Sequence, residues 1–276
     1  MHKGNYIFIY DEFLSDKKYE RLLSNVEQRL ATLDIQGRIG RLTLFRNPKD
    51  LVEGMIKGQV GSTVVIVGND RTLERVMWFL PDLDVIVGYI PMCAPQDMGK
   101  LLGISQGVEA CDVLGARSIE ILDIGKLDDR YFLTEVCLPR TSAVVEIEGK
   151  YRVSAKFGGS ISIRNLGNVS SGALGLSDAK DGLLEVVIKP QTNSKSRFWN
   201  RGEMPETRIL MRGGSILSQE PVDVLADNFS VNGKKFQLDI LKARLRVITG
   251  RRRLVSAGSG STGGLKPIDV HGTLSK

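Results

Sequence analysis

The periodicity of apolar residues changes once along this chain, near Ser118, and few folds accommodate such a change. Before it, strand-like runs alternate with helical patterns. Residues 6–10 read as a buried strand, and Tyr19, Leu22, Leu23, Val26 and Leu30 recur at helical spacing behind a Ser15 cap. Residues 39–45 predict the next strand. Asn47-Pro48 then supplies an N-cap and a proline at the first helical position, with Leu51, Val52, Met55 and Ile56 on one face. Residues 62–67 predict a strand buried on both faces. The polar turn Gly68-Asn69-Asp70-Arg71, a helix over 72–80 and a strand over 85–90 follow. Such alternation implies a parallel sheet covered by helices.

After Ser118 the chain reads as short strands and turns: 119–124, 131–138, 144–147, 151–155, 161–164, 183–188, 208–217 and 243–248. Asn232-Gly233, between Phe229 and Leu238, predicts a hairpin. Regular strands with turn punctuation indicate an antiparallel sandwich. The expected fold class is therefore α/β plus all-β: an N-terminal Rossmann-like domain with a parallel sheet over 1–120, and a C-terminal β-sandwich over 121–250. A basic Gly/Ser-rich tail over 251–276 completes the chain.

Composition narrows the chemistry. Apolar residues are 42% of the 276 and charged residues 25%, the balance of a folded protein. The only histidines, His2 and His271, stand at the termini, which argues against Ser-His hydrolases and His-rich zinc centres. Cys93, Cys111 and Cys137 are widely spaced and form no CxxC, so they read as reduced core residues. No apolar run approaches the roughly 20 residues of a membrane-spanning helix, and residues 6–10 are too short for a signal-peptide core. The expected location is cytoplasmic, with peripheral membrane contact open. The net charge of +6 is uneven: residues 241–276 hold eight Lys or Arg and one Asp. A cluster at Arg251, Arg252 and Arg253 suits a lipid or other anionic surface, or serves only solubility. Without interleaved aromatics it weighs against nucleic acid.

Gly258-Ser-Gly260-Ser-Thr-Gly263 matches GxGxxG, but no helix pattern follows, so it is rejected as a dinucleotide site. No GxxxxGK[ST] sequence occurs. The turn at Gly68 is the better candidate, since it joins a central strand to a helix N-terminus where free N–H groups favour an anion. Asp70 there either caps the helix or holds Mg²⁺ against a phosphate. Trp78 and Met77 read as core, Asp128-Asp129 as a solvated turn, and Arg197, Phe198 and Trp199 as a loop for a lid or a lipid surface.

Gly68-Asn69-Asp70-Arg71-Thr72-Leu73 resembles the GGDGTL motif of the diacylglycerol kinase family, which includes bacterial lipid kinases and is related to sphingosine and NAD kinases. Residues 90–104, IPMCAPQDMGKLLGI, align without a gap to that family's IPxGTGNDFAxxLGI. Asp181-Gly182-Leu183-Leu184-Glu185-Val186 resembles its DGLLDV, and Val231-Asn232-Gly233-Lys234 stands where it has VDGE. The resemblance spans about residues 5–250. It implies an ATP- and Mg²⁺-dependent lipid kinase fold, with nucleotide in the cleft between the two domains and a lipid hydroxyl as acceptor. On it, Asp70 is the catalytic candidate. Gly68, Asn69, Arg71, Thr72 and Asp97 are nucleotide-binding candidates, and Asp181 and Glu185 belong to a metal network. Some members of the family are dimers.

The departures from the family pattern fall on its working parts. Asn69 and Arg71 replace glycines, which implies a steric cost at Arg71 if the turn needs a positive φ. Cys93-Ala94-Pro95-Gln96 replaces Gly-Thr-Gly-Asn, and Pro95 removes a backbone donor. Asp11-Glu12 stands where the family has Asn-Pro. Lys234 replaces the glutamate that acts as general base, and a protonated lysine takes no proton at neutral pH. Residues 137–143 leave no room for the family's helical insertion on the lipid-facing side. Two readings result: a kinase-fold protein that binds a ligand or partner without catalysis, and an active lipid kinase with altered loops.

Overall fold

The computed structural model describes residues 5–59, 61–155, 158–166, 178–190, 206–227 and 229–251. Both histidines, Arg252, Arg253, the 258–263 match and the 197–199 loop lie outside these residues.

The N-terminal part runs β1 (Tyr6–Tyr10), α1 (Lys17–Thr32), β2 (Gly37–Arg41), α2 (Pro48–Ile56), β3 (Thr63–Gly68), α3 (Asp70–Met77), β4 (Ile86–Pro91), α4 (Asp97–Leu102) and α5 (Val108–Ala116). The strands lie in the order β2-β1-β3-β4 and all pairs are parallel, with Ile7 opposite Val64 and Val65 opposite Gly88. Every residue of β3 and β4 is buried, as strands covered on both faces require. α2 begins as its sequence dictates: Asn47 accepts from the Lys49 N–H at 2.9 Å, and Pro48 follows. α1 does not begin at Ser15. Asp16 caps it by accepting from Lys18 N–H, and Ser15 lies in a preceding 3-10 turn. β2 ends at Arg41, not at Phe45: Leu42 drops into the core while Leu44 and Phe45 project into solvent. Apolar periodicity marks neither α4 nor α5, because both are short and their N-caps, Gln96 and Gly107, make no side-chain cap.

The C-terminal part is antiparallel: β5 (Ile119–Leu127), β6 (Arg130–Phe132), β7 (Glu135–Leu138), β8 (Val144–Ile147), β9 (Tyr151–Ser154), β10 (Ser160–Arg164), β11 (Leu184–Lys189), β12 (Thr207–Met211), β13 (Gly213–Ala226) and β14 (Phe229–Ile248). The strand order β12-β11-β10-β7-β13-β14 continues across β4 into the parallel sheet. Asn232-Gly233 is not a hairpin turn. Both residues lie within β14, opposite Asp223 and Val222, and the turn falls instead at Asp227, between β13 and β14. Residues 139–143 join β7 to β8 without a helix, as expected.

Two apolar cores result. One gathers β1, β3, β4 and their helices, and the other gathers Phe132, Val136, Ile163, Val186, Ile216 and Leu238 of the sandwich. β5 and β14 serve both: Leu122 and Leu245 belong to the first core, Leu127 and Leu238 to the second. The parallel pairing of β14 with β4, Arg246 opposite Ile86, makes this possible. Arg244 and Arg246, part of the C-terminal positive excess, are thereby folded into the sheet and paired with Asp82 and Asp84. Among the described residues no helix is long and apolar enough to cross a membrane.

Candidate functional site

The C-terminal ends of β1, β3 and β4 open onto one edge of the parallel sheet, where folds of this class place their ligands. Gly68 closes β3 and must be small there. A Cβ at this position would come within 2.7 Å of the Thr72 Cβ. Asn69 caps α3 in a reciprocal box: its Oδ1 accepts from the Thr72 N–H at 3.2 Å, and its own N–H donates to Thr72 Oγ1 at 3.0 Å. The backbone at Asn69 is extended (φ −128°) and Arg71 lies inside the helix. The steric cost expected at Arg71 therefore does not arise, because no residue of this turn has a positive φ. Gly68→Ala is expected to break this box and lower stability by about 2–3 kcal/mol, read as a lower urea midpoint at unchanged slope.

Asp70 and Thr72 make further bonds within the protein. The Asp70 N–H donates to the Pro95 carbonyl at 3.0 Å. Thr72 Oγ1 donates to Asp11 Oδ2 at 2.8 Å, and Arg75 pairs with the same carboxylate at 3.5 Å. Asp70 is buried; Oδ1 accepts from the Tyr89 hydroxyl at 2.9 Å and Oδ2 from the Met98 N–H at 3.1 Å. Burial pushes its carboxyl above the ordinary carboxylate range, against these hydrogen bonds.

Asp97 opens α4 and pairs with Lys100 at 2.8 Å. Asp70, Arg71 and Asp97 share a cleft of about 260 Å³ with Glu74. Pro95, Met98 and Leu101 line its apolar side, and Thr134, between β6 and β7, lines it from the sandwich. Sequence reading missed two acids. Glu74 lies one helical turn after Asp70, so the i, i+4 spacing on one face of α3 was a usable signal. Its carboxyl is pushed up to about 7 by burial first, then by the charges of Asp227 and Asp70, with Arg71 opposing. Asp227 carried no local signal. It accepts from the N–H groups of Leu133, Thr134 and Glu135 and from the Thr134 hydroxyl, and so ties the β6–β7 turn to the end of β13.

Asp181 and Glu185 are placed elsewhere, each with its own surroundings. Asp181 accepts from Leu183 N–H at 2.8 Å and faces Asp178 and Asp123; burial raises its carboxyl. Glu185 pairs with Arg208 at 3.3 Å and stands opposite the buried Arg164, itself bonded to Glu135. This row of alternating charge crosses β12, β11, β10 and β7. Among the described residues no three His, Cys, Asp or Glu side chains are placed to share a metal ion. Lys234 is exposed on β14, outside the residues that line the cleft. Met77 is core and Asp128 turns the β5–β6 hairpin, as expected.

No protein-family model matches the chain, and no curated protein matches it. Solved structures do. A diacylglycerol kinase from Bacillus anthracis str. Sterne superposes with a TM-score of 0.73 at 16% identity, over 90% of this chain and 97% of that one. A second structure from the same organism, provisionally described as a diacylglycerol kinase, gives a TM-score of 0.74 at 16% identity over the same shares. The chain has the diacylglycerol kinase fold.

Proposed function

We propose that this chain uses the diacylglycerol kinase fold to bind a ligand or partner without transferring phosphate. The observation that carries this reading is that three N–H groups of the Gly68 turn already donate to acceptors within the protein. A phosphate cradle needs backbone N–H groups and a helix N-terminus left open to an anion. Here those of Asn69, Asp70 and Thr72 are already bonded to Thr72 Oγ1, the Pro95 carbonyl and Asn69 Oδ1. The two altered motifs interlock, since the Pro95 segment supplies the acceptor for Asp70.

Charge points the same way. Asp11 lies against Thr72, and Asp70, Glu74 and Asp97 line the cleft, with Arg71 the only cation in its wall among the described residues. Asp70 and Asp97, the latter paired with Lys100, and Glu74 when it ionises favour a hydroxylated or cationic ligand over a triphosphate. ATP and Mg²⁺ therefore fit this arrangement of residues poorly.

The alternative, an active ATP-dependent lipid kinase, is favoured by one observation. Glu74, near neutral in the cleft, supplies the proton acceptor that Lys234 does not. Two experiments on the purified chain decide. Mg-ATP titrated to millimolar concentration is expected to give no saturable heat, and γ-labelled ATP is expected to label no lipid in a broad membrane extract. Labelled lipid whose formation Glu74→Gln suppresses would overturn the non-catalytic reading in favour of the kinase.

A further inference from the structure

The loop between β2 and α2 carries an unusual exposed pair. Phe45 is 100% exposed and Leu44 77%, while Leu42 beside them is fully buried. Apolar side chains this large gain nothing by standing in water. Their backbone is nevertheless held. The Leu42 N–H donates to the Tyr10 carbonyl at 2.8 Å, the Leu44 N–H to Glu12 Oε2 at 3.1 Å, and Asn47 caps the helix that follows. The loop is thus anchored at Leu42, Leu44 and Asn47 and projects at the sheet edge. Residues 37–49 contain Arg38, Arg41, Arg46 and Lys49 and no acid, and the three arginines are exposed.

The geometry points to this loop as a membrane-docking wedge, with Leu44 and Phe45 entering the headgroup region of an anionic bilayer and Arg41 and Arg46 meeting lipid phosphates. Exposed apolar residues flanked in sequence by the exposed Arg41 and Arg46 suit an interfacial site. A second copy of the chain fits poorly, because a two-fold contact would set this cationic patch against itself. A folded protein partner fits poorly too, since two protruding side chains fall far short of the roughly 800 Å² per partner that a stable interface buries. The wedge is independent of the basic tail and of whether the cleft catalyses. It shares an edge with the Gly68 turn: Asp11 reaches Thr72, and the adjacent Glu12 reaches Leu44. Docking would bring the cleft close to the lipid surface.

Sedimentation of the full chain with vesicles tests this. Binding to vesicles rich in phosphatidylserine is expected, with little to pure phosphatidylcholine and a steep loss at high salt. Leu44→Ser with Phe45→Ser is expected to cut partitioning about tenfold or more, and Arg41→Gln with Arg46→Gln about as much. These side chains face solvent, so circular dichroism should stay unchanged. Phe45→Trp is expected to add emission that shifts to the blue only with the anionic vesicles. No binding to the anionic vesicles would overturn the proposal, as would binding that survives the Leu44/Phe45 change. Light scattering that shows a dimer dissociated by Phe45→Ser would overturn it too, in favour of a self-interface.

Discussion

Asp70→Ala is expected to lower unfolding stability by about 3 kcal/mol. Two donors depend on this carboxylate: the Tyr89 hydroxyl and the Met98 N–H, the latter in the first turn of α4. Both are in the interior, where a donor stripped of its acceptor costs about 1–3 kcal/mol. Asp70→Asn keeps one acceptor oxygen and is expected to cost about half as much. Urea denaturation measures both. An unchanged midpoint for Asp70→Ala would show that the Tyr89 and Met98 bonds contribute nothing to the fold.

Glu74→Gln is expected to act in the opposite direction, and only above mildly acid pH. The native carboxyl titrates at about 7 against an ordinary 4.5. A raised pKa means that the folded state holds the proton more tightly than the unfolded chain. Its stabilising contribution is complete below about pH 4.5 and is lost as the pH climbs through 7. At about 1.4 kcal/mol per pKa unit the loss is at most about 3.5 kcal/mol, and about half that once the open side of the cleft is allowed for. Glutamine has no proton to lose. Its melting temperature should match the native protein's near pH 4 and exceed it by several degrees at pH 8. Parallel profiles across that range would place Glu74 in ordinary solvent.

Much of this molecule is legible in its sequence, and the gaps have physical causes. β1, α2, β3 and β4 are visible because each carries its own signal: continuous apolar runs in the strands, and Asn47-Pro48 at the helix start. The diacylglycerol kinase fold is legible because its landmarks keep their order and spacing even where the residues differ. α4 and α5 escape the periodicity argument because they are short and start without a side-chain cap. Asn232-Gly233 misleads because a favoured turn dipeptide is overruled by strand pairing. β13 carries its irregularity between Leu217 and Val222, on the other side of the ladder.

The site divides along the same line. Asn69 and Thr72 form a cap that could be read from their spacing. The bond from Asp70 to Pro95 and the clustering of Glu74, Thr134 and Asp227 are long-range and leave no local trace. The loss of two glycines looked like a strain on the turn. In three dimensions the turn has no positive φ, and the N–H groups of Asn69, Asp70 and Thr72 donate to Thr72 Oγ1, the Pro95 carbonyl and Asn69 Oδ1.

The twenty residues of β14 have a consequence for how the chain folds. The strand starts in the sandwich and ends beside β4, so the parallel sheet gains a neighbour for β4 only from residues more than 150 positions later. Contacts so distant in sequence form late, because loop-closure entropy must be overcome before they contribute. On the ribosome the first core waits, with one flank of β4 uncovered, until β14 emerges. No single cut can separate the two cores into pieces that each keep all their own strands.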